Sequence, residues 1–391
     1  MTDIKDATNV QSKVRIEGTC SDRFAPVRQA FALNLESGQD IGASVAVVVD
    51  GEPVVDLWGG YFDGTYTRPF GRRSIAQGFS STKTVAALCA LVLADRGELD
   101  LDAPVATYWP EFAAEGKGGI LVRQLLGHTA ALCGWDVPMT RRDLYDWEKS
   151  TTLLARQAPL WTPGRTSGYH CYTHGHLIGE VVRRVTGTTI GRFLSDEIAR
   201  PLGVADDYYI GVPEEADDRV SLLIRGSSLD RPSGNRISDL ALYNPHISPE
   251  ITWEAEWRRA ELPAMNGHGN ARGLATLQSV LASGGANGVR LMSDSGRERA
   301  LEQQSDGIDM VIGLPCRWAM GFALEMLPFP TVPAGARAAW WGGNGGSLSF
   351  IDLDARMAIG FVPNRWISGP FEQHRSGNIV RAAYQSLNAV S

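Results

Sequence analysis

Hydrophobic positions divide the chain into elements of two periods. Phe24, Val27, Phe31 and Leu35 recur at helical spacing, which predicts an amphipathic helix over 24–37. The apolar run 42–49, an Asp50-Gly51 pair and the run 53–59 predict two strands joined by a tight hairpin turn. Residues 84–96 are apolar almost without interruption and end at Gly97, a natural helix stop. Shorter helical patterns follow at 121–126, 153–158, 174–185 and 190–199, separated by Trp161-Thr-Pro-Gly164, Gly187 and Pro201. Residues 212–265 show little periodicity and predict long loops over the helical part. A helix over 273–282, strands over 318–326, 346–352 and 357–363, and a closing helix over 379–388 complete the pattern. Residues 1–22 are polar and predict a loose arm.

This order predicts an α+β protein. Residues 1–75 and 270–391 would form one α/β domain, and 76–269 a mostly helical inserted domain, with the active site between them. No internal repeat or low-complexity segment interrupts the plan. The chain has 391 residues, enough for a large core, and its 43% hydrophobic and 21% charged content is that of a globular protein. A net charge of −7 argues against nucleic acid as a partner, because phosphate binding needs a basic surface. No apolar run reaches membrane-spanning length, and the first residues show no apolar secretory segment. Five cysteines, at 20, 89, 133, 171 and 316, are odd in number and contain no Cys-x-x-Cys pair. That pattern fits reduced thiols, and a cytoplasmic location is expected.

Candidate chemistry begins where the irregular stretch before residue 80 meets the apolar helix. Ser80 and Lys83 are one helical turn apart and so share a face. A hydroxyl, an amine and the free amides of a helix start are the parts that acyl transfer through serine requires. Of five lysines only Lys83 has a serine three residues before it. An ordinary serine cap with a solvated lysine is the competing reading. Tyr169 follows a Pro-Gly turn and precedes a helix. Beside a lysine, a phenol can be partly deprotonated and can relay a proton between serine and leaving group; the plainer reading is a packed, hydrogen-bonded aromatic. Trp340-Trp341-Gly342-Gly343-Asn344-Gly345-Gly346-Ser347 allows a ligand close to the backbone, or simply turns the chain between strands.

His170, Cys171, His174 and His176 could suggest a metal, but no acidic partner completes a familiar ligand set, and no metal or other cofactor is expected. Trp135, Asp136, Tyr172, His246, Asn266 and His268 are candidates for the cleft lining without a catalytic assignment, and His128 is expected to hold its loop.

The ordered set Ser80-Ser-Thr-Lys83, Tyr169 after Pro-Gly, and the late glycine-rich stretch resembles the serine β-lactamase and penicillin-binding-protein superfamily. Within it the class C β-lactamase-like branch and the family VIII carboxylesterases are most similar. The segments Gly97-Glu-Leu-Asp-Leu-Asp-Ala-Pro-Val105 and Leu125-Leu-Gly-His-Thr129 add to the likeness, which runs from about the first helix to the end. The resemblance implies a β-lactamase/transpeptidase-like fold, an antiparallel sheet flanked by helices. It implies Ser80 as nucleophile, Lys83 as its activator and Tyr169 as general base and acid. It also implies an oxyanion hole from the amides of Ser80 and Asn344, with Trp341-Gly342-Gly343 at the substrate.

Two departures bear on substrate. The β-lactamase Tyr-x-Asn is Tyr169-His170-Cys171 here, and no lysine occurs after residue 149, so the Lys-Thr-Gly cation is missing. Trp341 in its place resembles the Trp-Gly-Gly of family VIII esterases and predicts an apolar pocket wall. The expected function is therefore a cofactor-free serine carboxylesterase for short-chain or compact esters. The alternatives are a β-lactamase or D-peptidase, an acyltransferase on the same site, or an inactive penicillin-binding-like domain. Oligomeric state is not legible. The Gly-x-Ser-x-Gly elbow of α/β-hydrolases is absent.

Overall fold

A computed structural model describes residues 14–226, 234–326, 332–367 and 374–388. Nine strands form one antiparallel sheet: β1 (Ile16–Cys20), β2 (Gly42–Val49), β3 (Glu52–Gly60), β4 (Ser305–Ile308), β5 (Pro315–Trp318), β6 (Ala323–Met326), β7 (Ala338–Gly342), β8 (Leu348–Asp352) and β9 (Met357–Pro363). Their spatial order is β1-β3-β2-β9-β8-β7-β6-β5-β4. The chain ends meet at the centre, where β9 pairs with β2 from Met357 opposite Val49 to Pro363 opposite Ala43.

The apolar runs follow from this position. β2 is buried on both faces, so its sequence is nearly all hydrophobic. Val45 and Val47 pack on one side with Val27 and Phe31 of α1 (Ala25–Glu36) and Ile379 of the closing helix His374–Asn388. Ala46 and Val48 face the other way, toward Leu274 and Ala275 of the Ala271–Ser283 helix. On that side lies α2 (Thr82–Asp95), in which every residue from Thr82 to Leu93 is buried. Its uniform hydrophobicity is thus that of a core helix, without an exposed face.

The structure departs from the sequence expectations at four places. Residues 16–20 of the expected arm pair with Val55–Gly59 as the edge strand, and residues 1–13 lie outside the described residues. The single strand expected over 318–326 is two, because Ala319–Phe322 turns the chain between β5 and β6. Residues 340–342, the start of the stretch whose plainer reading was a turn, lie in strand β7. The expected loops over 212–265 contain a helix, Arg236–Tyr243, whose Asn235 side chain accepts from the Ile237 and Ser238 amides. That cap was legible, but the polar surroundings hid the short apolar stripe behind it.

A second sheet of four short strands, Tyr208–Ile210, Gly267–Gly269, Ile75–Gln77 and Val220–Ser221, sits directly before the Ser80 turn. Through it the Gly78 amide donates to the Gly267 carbonyl at 2.8 Å, which fixes the entry to that turn. No helix among the described residues is long and apolar enough to cross a membrane.

Candidate active site

Ser80 lies in a single 3-10 turn, Phe79–Ser81, that runs into α2. Phe79 has φ +45°, an uncommon conformation for a non-glycine residue, and its ring is held edge-on to Trp366 at 5.3 Å. Such local strain persists only where surrounding packing over-determines it. Here it turns a half-buried Ser80 outward while Ser81 and Thr82 point into the core.

Lys83 is fully buried and has no carboxylate partner among its hydrogen bonds. Its Nζ donates to the Cys171 carbonyl at 2.7 Å and the Ala264 carbonyl at 2.9 Å, and lies 3.3 Å from Ser80 Oγ. Burial pushes its pKa down to about 8. A neutral amine has two N–H donors and one lone pair. The two carbonyls take the donors, and the lone pair is left for the Ser80 hydroxyl. The site is therefore shaped for an amine that accepts a proton from Ser80.

Tyr169 completes the group. Its hydroxyl accepts the Trp341 indole N–H at 3.1 Å, and the Ser80 side chain beside it acts to lower the phenol's pKa. Lys83 Nζ is 4.7 Å from its ring centre. The expected partial phenolate is not the resting state: burial outweighs these contacts and drives the phenol well above its ordinary pKa. At rest Tyr169 is thus a proton donor, and of the pair Lys83 is the better base.

The surroundings of Tyr169 include residues that no sequence motif announced. Asp309, fully buried, accepts the Tyr169 amide at 3.0 Å together with the amides of Val311 and Ile312, and its second oxygen accepts the Trp318 indole N–H at 3.2 Å. Trp318 stacks parallel to Tyr169 at 5.9 Å and lies 4.7 Å from Trp341. His128 accepts the His170 amide at 3.2 Å and packs against both Tyr169 and Trp318, so it holds its loop. Burial keeps His128 and His174 well below the ordinary histidine pKa, and His170 at about 4. These rings form a neutral support behind Lys83. Among the described residues no group of three or more His, Cys, Asp or Glu is placed to hold a metal ion.

Trp341 is only 6% exposed and its N–H is spent on Tyr169, so it is chiefly a strut for the phenol and less the pocket wall the sequence suggested. Changing it to phenylalanine keeps an aromatic ring and removes the donor. The expected result is a roughly fivefold fall in kcat with KM nearly unchanged, since one hydrogen bond contributes about 1 kcal/mol. A raised KM at constant kcat would instead identify a pocket wall.

Gly342 ends β7 opposite Leu348. Gly343 follows where a Cβ would stand 2.1 Å from the Gly78 carbonyl, so only glycine lets this loop close onto the Ser80 turn. Ser347 Oγ donates to the same carbonyl at 2.5 Å. The Gly343 amide donates to Ser347 and the Gly346 amide to Gly343, leaving the Asn344 amide outside these turn bonds on an exposed residue.

The other cleft candidates have structural partners. The Trp135 indole donates to Ser150, Tyr172 Oη to Leu242, and Asn266 spans Leu262, Trp257 and Ala260. The His268 ring meets the Asn266 carbonyl, and His246 stacks on Tyr243. The Asp136 amide donates to the Gln157 side chain.

A family model described as beta-lactamase matches residues 27–384 of the chain. The chain belongs to the beta-lactamase family. It is 33% identical over 370 residues to the esterase/beta-lactamase LipL of Mycobacterium tuberculosis, covering 90% of this chain and 84% of that one. A family VIII carboxylesterase of known structure aligns at TM-score 0.89 and 38% identity, over 95% of this chain and 100% of the other. A penicillin-binding protein homologue from Caulobacter crescentus gives the same four values. The fold is thus β-lactamase/transpeptidase-like, and the protein is a serine hydrolase of the beta-lactamase family.

Proposed function

We propose that this serine hydrolase is a carboxylesterase for short-chain or compact neutral esters, acting through an acyl-enzyme on Ser80. The observation that carries the mechanism is the buried Lys83 amine, which donates to two carbonyls and lies 3.3 Å from Ser80 Oγ, so that its neutral form has a lone pair left for the Ser80 hydroxyl. Ser80 gives its proton to Lys83 as Oγ attacks the ester carbonyl. The amides of Ser80 and Asn344 receive the oxyanion. Tyr169 then protonates the departing alcohol oxygen. The new Lys83 ammonium beside its ring and the Trp341 N–H at its oxygen both favour the transient phenolate. Water enters, returns a proton to Tyr169 and attacks the acyl carbon. Ser80 leaves with the proton held on Lys83, and the site is restored.

Substrate class follows from charge. Trp341 replaces the cation that would attract a lactam carboxylate, and the chain has no lysine beyond residue 149. The structural relative's name supports the ester reading, since it is a family VIII carboxylesterase, whereas LipL is named both esterase and beta-lactamase. The test is hydrolysis of p-nitrophenyl acetate and butyrate beside nitrocefin. Ester kcat/KM is expected to exceed that for nitrocefin by at least about 100-fold, an electrostatic preference of roughly 3 kcal/mol. Nitrocefin turnover equal to ester turnover would overturn the substrate assignment.

A further inference from the structure

The turn that carries the Asn344 amide is held from behind by a buried ion pair. Arg375, in the first turn of the closing helix, is 2% exposed, and Asp40, after α1, is 1% exposed. Arg375 Nη1 bonds to Asp40 Oδ1. Nη2 donates to the Gly345 carbonyl at 2.7 Å. Further donations reach the carbonyls of Gln39 at 3.3 Å and Arg365 at 3.4 Å, and Asn34 Nδ2 holds the Arg375 carbonyl at 3.3 Å.

Glycine is required where the guanidinium meets the turn. A Cβ on Gly346, which has φ +96°, would stand 2.2 Å from Arg375 Nη2. The Gly345–Gly346 peptide is thus fixed at both ends: its N–H donates to the Gly343 carbonyl, which shares a peptide with the Asn344 amide, and its own carbonyl accepts from Arg375. A buried ion pair is weak evidence for stability, because desolvation offsets its attraction. Its geometry is informative here, since a rigid planar fork aims a carbonyl more narrowly than a flexible side chain would.

The geometry points to Arg375, backed by Asp40, as a positioning residue that aims the Asn344 amide at the oxyanion. Neither residue touches substrate; the pair acts through the Gly345 carbonyl. The inference rests on the serine-esterase reading above, and extends it to a part of the chain far from any catalytic motif.

The Asp40 carboxyl also titrates. Burial raises the Asp40 carboxyl to about 6, against the pull of Arg375 and Arg365, the charged groups that face it. The carboxylate form, which holds Arg375, is therefore present above that value and lost as pH falls through it. His374, next in the helix, is exposed.

The experiment compares Arg375→Met and Asp40→Asn with wild type on p-nitrophenyl butyrate and on inhibition by an alkylboronic acid. The boronate forms a tetrahedral adduct on serine that places an oxygen where the oxyanion sits. Losing a whole oxyanion donor costs about 100- to 1,000-fold in kcat, so a misaimed one is expected to cost roughly 10- to 100-fold. KM should stay within about twofold, and the boronate Ki should rise in step with the loss in kcat/KM. Wild-type kcat/KM should fall more steeply below pH 6 than above it. That extra limb should be absent in Asp40→Asn and retained in His374→Asn. Arg297→Met is the stability control, since it removes buried bonds to Leu281 and Ala282 elsewhere; it should lower Tm and leave kcat alone. If Arg375→Met does not fold, the isosteric Asp40→Asn profile decides. Variants that keep kcat, or lose it with an unchanged boronate Ki, overturn the clamp alone. A wild type that neither cleaves esters nor binds the boronate overturns the esterase reading and the clamp with it.

Discussion

Ser80→Ala is expected to reduce p-nitrophenyl butyrate turnover by at least about 1,000-fold while leaving the fold in place. The large effect follows from the proposed role, in which Ser80 forms the bond to the acyl group; no other hydroxyl stands against both Lys83 and Tyr169 among the described contacts. The small structural effect follows from its surroundings. Ser80 is half-buried, Lys83 keeps its two carbonyl partners, and the turn is held by Ser81 and Thr82 bonding back to Gly78 and Phe79. Unfolding free energy should change by no more than about 1 kcal/mol. Labelling by a fluorophosphonate should disappear with activity. An alanine enzyme that turns over esters like wild type would remove Ser80 from the mechanism.

The second large effect concerns Lys83. Because burial holds its amine at about 8, wild-type kcat/KM should rise nearly tenfold per pH unit below that value and level off above it. Lys83→Arg keeps a cation in place but cannot lose its proton at any working pH. It should lower kcat/KM by roughly 100- to 10,000-fold, the contribution of a positioned general base, and the limb near pH 8 should vanish. If Tyr169 were instead a resting phenolate that needed only a neighbouring cation, the arginine enzyme would keep much of its activity. A retained limb near pH 8 in Lys83→Arg would transfer the titration to another group. Stability follows the same sign. Lys83 is more readily charged in the unfolded chain, where it titrates near 10.5, so its contribution to folding grows as pH rises from about 8 toward that value.

Local pattern and order of motifs determined much of this protein. The run 42–49 could be read as a strand, and its near-uniform apolarity is explained by both of its faces being covered; 84–96 could be read as a helix, and its apolarity is explained by the burial of every residue from Thr82 to Leu93. Ser80 and Lys83 were legible as candidates because the proposed chemistry uses one turn of helix, a spacing the sequence states directly. Tyr169 and the Trp341–Asn344 stretch were found from the order of short motifs along the chain, whose resemblance to a family is a property of sequence alone. Only the tertiary structure could decide the protonation roles. Those depend on burial: the same desolvation that lowers the Lys83 amine raises the Tyr169 phenol, and neither effect is written in the residues nearby. Tertiary contacts likewise turned Trp341 from a pocket wall into a donor to Tyr169, through a hydrogen bond across 172 residues. Asp309 and the Arg375–Asp40 pair carry no motif, since a carboxylate that collects backbone amides, or an arginine that aims a carbonyl, can come from any part of the chain that folding brings near. What the sequence determined is which candidate groups share a turn and a motif order; what the tertiary structure decided is the state in which each waits, because pKa and aim are set by neighbours distant in the chain.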